Sequence, residues 1–410
     1  MARGTQVTFR SVFAVAEFRA MWAAEAFSQA GDQLARVALA ILVYDRTGSA
    51  ALTGLTYALT FAPAFLGGIF LSGLADRFPR REVMVASDLV RGALVGLVAI
   101  PGMPFPLVCV LVALVSFFQA PFKAAQLALL PDVLAGDRYE VGMGIRQITM
   151  QTAQLIGFAG GGVLVSALNP YLALALDTAT FAASAAFVRF GVQYRPAAAS
   201  TSTKPSLVGG LGTGARLIFG NSGTLVLVLF GWLAGFLLVY EGLAAPYTAE
   251  IGGGDIAVGL LLASDPFGSV IGAFVFSRLV PPEIRPRIVG WLAVANCLPL
   301  LVCFAKPGLV ISATLFALAG ALGTAALLQS TATFTRRIPH ESRAQALGLG
   351  QSGLATIQGV SPLLAGLLAD WIGTAHAVGT VGVIGLAIAV PAALVWQRTL
   401  VAEPGRVLSQ

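Results

Sequence analysis

Charge is scarce in this chain: Asp, Glu, Lys and Arg make up 11% of its 410 residues, against about 25% in ordinary soluble domains. The surface of a water-soluble globule cannot be built from so little. Histidine is scarcer still. The two present, His340 and His376, lie far apart in sequence with no acid or cysteine cluster beside them, so no metal site is expected. The three cysteines, Cys109, Cys297 and Cys303, sit inside apolar runs without CxxC spacing, which excludes a disulfide framework and leaves them as small core hydrophobes. The stretch Gly210, Gly212, Ala215 imitates a dinucleotide loop, but it falls in a polar segment that no strand precedes. No soluble-enzyme constellation remains, so neither catalysis nor a cofactor is expected.

What the chain has in excess is apolar and small: 57% hydrophobic residues, with 47 glycines and 21 prolines. Apolar runs broken by glycine, proline and charge place spans at about 20–44, 50–72, 84–102, 105–130, 140–167 and 170–191, and again at about 222–248, 256–280, 287–305, 308–334, 345–369 and 374–397. Between the two sets lies the stretch of lowest hydrophobicity, with its AAASTSTKP tract and GGLGTG run. The expectation is an all-α polytopic membrane protein of twelve transmembrane helices in two six-helix bundles, 1–191 and 222–410, joined by a cytoplasmic linker over 192–221. The first span carries Glu25, Asp32 and Arg36, unlike the apolar core of a cleaved signal peptide, and is expected to stay attached.

Basic residues orient the chain. With these spans, 19 of the 25 lysines and arginines fall at the ends and in the loops on one side, whereas the opposite loops hold only Arg46 and Lys306. Such asymmetry puts both termini in the cytoplasm. The net charge of +6 is then an orientation signal, and because it is scattered over short loops no nucleic-acid partner is expected. The segments Gly157–Pro170 and Ser361–Gly373 superpose with Gly162 on Gly366, a sign of parallel six-span repeats, which place a substrate site near the bilayer midplane.

After the second span comes SGLADRFPRRE, Ser72 to Glu82: a tight basic turn in which Gly73 allows close approach, Asp76 can cap or pair, and Arg77, Arg80 and Arg81 anchor to the cytoplasmic face. It resembles motif A of the major facilitator superfamily, with Ser72 and Pro79 where glycines are usual. Gly144, Ala153, Gly157, Phe158, Gly161 and Gly162 resemble that superfamily's antiporter motif C, with Ala153 for glycine and Phe158 for the proline that kinks the helix. These glycines serve helix packing or export direction. FRAMWAAEAFSQAGDQ, YDRTGSAALTGL, DLVRGAL and QAPFKAAQLALLPDVL look like the first spans of the macrolide-efflux branch of drug–proton antiporters, which is also similar to siderophore exporters. The resemblance implies the twelve-span fold, rocking bundles, and proton-driven export from the bacterial inner membrane of an amphipathic compound. Siderophore export, nutrient import by the same fold and lipid flipping or scrambling are the alternatives. The expected partners are a small-molecule substrate, protons and the lipid bilayer, with a monomer as the working unit.

Charged side chains at mid-span cost about 2.5–3.5 kcal/mol each by insertion scales, so those retained face protein or water. Glu25, Gln29, Asp32 and Arg36 lie within about 60° of arc at 100° per residue. That stripe is either a proton-coupling face, with Asp32 tuned by Arg36, or a structural ion-pair ladder. Gln119, Lys123 and Gln126 repeat the pattern on span 4, where Lys123 lines the cavity or snorkels to the interface. Arg146 and Gln151 on span 5 are candidates for bonding substrate or bridging helices. Glu241 and Asp265 are the acids well inside apolar runs of the second half, placed at the cavity or at the outer headgroup level. Asp177 in span 6 is a weaker candidate.

Overall fold

The computed structural model describes residues 8–71, 73–196, 215–339 and 342–402. Arg3, Ser72, Lys204, Gly210, Gly212, His340, Arg406 and residues 197–214 of the expected linker lie outside the described residues. Among those described, all regular structure is helical. The long helices are α1 (Ala16–Thr47), α2 (Ala50–Arg77), α3 (Arg80–Val98), α4 (Phe105–Val133), α5 (Asp137–Leu168), α6 (Pro170–Gly191), α7 (Ser222–Gly242), α8 (Asp255–Leu279), α9 (Arg285–Ala305), α10 (Leu309–Arg337), α11 (Arg343–Ile372) and α12 (Thr374–Ala402).

Ten of these are long and apolar enough to cross a membrane by their own composition, and the two that fall short are α1 and α3. The shortfall has a physical reason. These two helices carry Glu25, Asp32, Asp88 and Arg91, whose charges are turned inward, Asp32 and Asp88 toward Arg91 and Glu25 toward Arg146 of α5. Large apolar side chains meanwhile point outward, with Phe70 71% exposed, Phe190 88% and Trp371 89%. Polar groups inside and apolar groups outside is the distribution that a hydrocarbon solvent selects.

The chain forms two compact units, Met1–Leu42 with Leu59–Ser202, and Val43–Ala58 with Thr203–Gln410. The division at residue 58 coincides with a break in α2 at residues 59–61, followed by Pro63, which fits the first turn of a new helical segment. Phe18, Met21, Met84, Phe122, Leu129 and Leu130 are buried together in the first unit. Phe230, Tyr247, Phe316 and Trp396 anchor the core of the second.

Glycine and proline set the closest approaches. In the first unit α4 turns at Phe118, since Pro121 has no N–H for the Phe117 carbonyl, and Gly67 of α2 packs against that carbonyl where a Cβ would collide. In the second unit Gly54 meets the Pro362 carbonyl and Gly366 meets that of Ala50, laying the first half of α2 along α11. Asp370 of α11 caps this half-helix, accepting from the Ala50 N–H at 2.7 Å and the Ser49 hydroxyl at 2.8 Å.

Candidate functional site

The first unit holds a buried polar cluster where α1, α3 and α6 meet. Arg91 of α3, 2% exposed, donates from one nitrogen to both oxygens of Asp32 on α1, at 2.9 Å each. Its other terminal nitrogen lies 3.8 Å from the Asp88 carboxyl, one helical turn away. The face of its guanidinium covers the Phe181 ring at 4.4 Å. Asp88, fully buried, accepts from the Ser184 hydroxyl of α6 at 2.5 Å, and its second oxygen has no hydrogen bond. Asp177 of α6 accepts from Thr180 at 3.0 Å and also keeps one buried oxygen unbonded. Gly31 makes room for this group, because a Cβ there would strike both Thr180 and Asp177. Asp32, Arg36, Arg91, Gln119 and Asp177 share the wall of a cavity of about 540 Å³.

Next to it a second cavity, of about 310 Å³, is lined by Glu25, Gln29, Asp32, Gln119, Lys123 and Gln126 among others. Arg146 of α5 grips Glu25 with two N–H groups at 2.6 and 2.7 Å, and donates to the Gln126 side-chain oxygen at 3.0 Å. Gln119 reaches Asp32 at 3.4 Å. Arg36 donates to Gln33 at 3.2 Å and lies over the Phe61 ring. The stripe on α1 and the one on α4 thus face common space. Gln151 is half-buried further along α5 and is not among the residues lining either cavity.

The two glycine patterns take different places. In the basic turn, Gly73, Asp76 and Arg77 are exposed around a single helical turn, Leu74–Arg77, while Arg80 ties the turn to the end of α4 through the Ala128 carbonyl at 2.8 Å and Asp132 at 2.6 Å. Arg81 pairs with Glu82 and covers the Tyr194 ring. On α5, Gly157 and Gly161 lie against Ala30, Gln33 and Val37 of α1, Gly162 is buried, and Gly144 has open space around it. Phe158 is fully buried and α5 has no interior proline, so the helix runs unbroken from Asp137 to Leu168. In α11 Pro362 does fall within the helix.

The second unit has a smaller polar site. Tyr240 of α7 donates to Asp265 of α8 at 2.6 Å and stacks on Phe316. A cavity of about 390 Å³ beside them is also lined by Asn296, whose buried oxygen has no hydrogen bond. Glu241 accepts a hydrogen bond from Tyr57 of α2.

The model of the Major Facilitator Superfamily matches residues 21–279. The chain belongs to this superfamily. Macrolide efflux protein A of Streptococcus pyogenes is 22% identical over 376 residues, 88% of this chain and 91% of that protein. A Bacillus amyloliquefaciens protein named for bacilysin export, BacE, is 26% identical over 214 residues, 51% of this chain. The match spans 53% of BacE, so about half the length of that relative is covered. The multidrug efflux pump Tap of Mycobacterium bovis is 24% identical over 205 residues, 46% of this chain and 48% of the pump. Among solved structures, a bacterial homologue of the human lysosomal transporter Spinster has a TM-score of 0.73 at 15% identity, covering 94% of this chain and 98% of its own, a likeness of fold alone. This major facilitator thus has proteins named for efflux among its relatives.

Arg91 is the centre of the buried cluster, and the candidate stripes did not include it. Its signal in the sequence is the Asp88–Arg91 pair, three residues apart in an apolar run, which marks a polar face on α3. Tyr240 and Asn296 gave none, because a single tyrosine or asparagine in a span is ordinary.

Proposed function

We propose that this major facilitator is a proton-coupled exporter of small amphipathic organic compounds in the bacterial cytoplasmic membrane, with both termini in the cytoplasm. The observation that carries the reading is Arg91, bonded to Asp32 and 3.8 Å from Asp88, beside carboxyls on Asp88 and Asp177 that are buried with an oxygen unbonded. A buried carboxylate with a free lone pair is costly, and a proton relieves the cost. Passage of that proton from Asp88 to Asp32 weakens the hold of Asp32 on Arg91 and leaves the guanidinium to Asp88. One proton thereby exchanges the partner of a group that ties α1 to α3, a discrete two-state element of the kind that a transport cycle needs. The membrane potential adds about 2.3 kcal/mol per charge per 100 mV to drive it. The efflux relatives support the outward direction, and the stretch of glycines on α5 is consistent with it.

The test is transport by purified protein in vesicles with an imposed pH gradient, screened over amphipathic compounds. Uphill movement of at least one compound is expected, together with its loss in Asp32→Asn, where the amide preserves shape and a hydrogen-bonding group while removing the carboxyl. Substrate binding should persist in that variant, with its pH dependence flattened. Uphill export with an unshifted pH profile in both Asp32→Asn and Asp88→Asn would place the coupling elsewhere.

A further inference from the structure

Lys123 stands on the α4 face that lines the 310 Å³ cavity, and among the described residues its ammonium makes no ion pair or hydrogen bond. It does not escape to the helix end, since Val133 lies ten positions further along, about 15 Å at 1.5 Å per residue. The acids of the same cavity are already matched. Glu25 is gripped by Arg146 at 2.6 Å and Asp32 by Arg91 at 2.9 Å, each through two hydrogen bonds. Within this cavity one positive charge is left over.

A second unmet donor lines the same wall. Gln126 is 1% exposed, and its Nε2 has no hydrogen-bond partner. Its orientation is fixed, because its oxygen accepts from Arg146 at 3.0 Å and the opposite flip would set an NH2 against a guanidinium. Lys123 and Gln126 are three residues apart on one helix, neighbours on its surface. An ammonium and an amide N–H side by side, both without acceptors, suit an anion.

We propose that this cavity is a carboxylate-binding site, at which Lys123 and Gln126 hold the acid group of a monoanionic organic compound whose apolar body rests on Phe122 and Met150. A single charge fits better than a dianion, since Glu25 and Asp32 stand in the same wall and would repel the second charge. The proposal deepens the transporter reading by naming a substrate class. It rests on that reading only in taking the cavity as a place where substrate sits.

The experiment uses the full chain in nanodiscs, with 4-phenylbutyrate and its uncharged amide as probes and empty nanodiscs as the blank. Titration calorimetry should give the acid an affinity about tenfold above that of the amide. Lys123→Gln should bring the ratio close to one, Lys123→Arg should keep it, and Gln126→Leu should reduce it by a few-fold. A readout on the unaltered protein needs no variant to fold: the acid, and not the amide, should slow acetylation of Lys123, with Lys204 and Lys306, the other two lysines of the chain, as internal controls. Equal affinity for the two probes, an acid preference that survives in folded Lys123→Gln, no saturable binding of the acid up to about 10 mM, or no protection of Lys123 would each overturn the proposal. No gradient is involved, so failure of proton-driven export in vesicles is a separate result.

Discussion

Glu250 ends the short helix Ala244–Glu250, where it accepts from the Lys306 ammonium at 2.7 Å and the Ala375 N–H at 2.9 Å, joining that helix to the turn after α9 and to the start of α12. Burial pushes its pKa up, but the bonds from Lys306 and from the Ala375 and Thr374 backbone outweigh that and bring it below its ordinary 4.5. A lowered folded-state pKa means that the contribution to stability is complete above the unfolded value and fades as pH falls through the lowered one. Glu250→Gln is expected to cost about 1 kcal/mol at neutral pH, seen as a lower melting temperature, with the difference from the unaltered protein shrinking below about pH 4. A gap independent of pH would assign the effect to packing. Glu25, Gln29, Asp32 and Arg36 share a face because helical spacing dictates it, whereas the bonds from Arg91 to Asp32 and from Arg146 to Glu25 join residues 59 and 121 positions apart. Spacing along one helix reports only that helix. Which cation crosses from a neighbour depends on how the helices pack.

Helices α1 and α5 meet through small residues, and the glycines of the motif-C pattern do unequal work in that contact. A Cβ on Gly157 would come within 2.7 Å of the Gln33 Cβ and 2.8 Å of the Ala30 carbonyl, with backbone that cannot yield easily; one on Gly144 would meet nothing within 4 Å. Gly157→Ala should therefore lower stability by about 1–3 kcal/mol through overpacking. Gly144→Ala should be neutral or stabilising by up to about 1 kcal/mol, since alanine loses less backbone freedom in a helix. Thermal melting in nanodiscs compares the two directly. If Gly144→Ala melts normally but fails to transport, Gly144 is needed in a second arrangement of the helices, and the pattern serves motion as well as packing. The glycine spacing was legible in the sequence, and so was the loss of the kink-forming proline at Phe158. The division of labour was not, because it depends on which residues of α1 stand opposite.

For the whole molecule, hydropathy was enough to find the spans, since ten helices satisfy the length and apolarity that a bilayer imposes. The other two, α1 and α3, were recoverable only because their charges are few and lie in otherwise apolar runs. The break in α2 at residues 59–61, and the grouping of residues 43–58 with the second unit, left no comparable mark, because Leu59, Thr60 and Phe61 suit a helix interior as well as a turn. Orientation is the remaining whole-chain property that the sequence argues and that an experiment can decide. On the proposed orientation, argued from 19 basic residues on one side against Arg46 and Lys306 on the other, residue 204 is expected in the cytoplasm and the Gly252–Gly254 turn before α8 outside. Single cysteines at Lys204 and Gly253, in a background with Cys109, Cys297 and Cys303 replaced by serine or alanine, should react with an impermeant maleimide from opposite faces. In intact cells the reagent should reach the cysteine at position 253 and spare the one at 204; in inverted vesicles the pattern should reverse. Labelling of both from one face would mean an even number of crossings between them, and with it the orientation of every charged turn, the basic one at Gly73–Arg81 included, would have to be assigned anew.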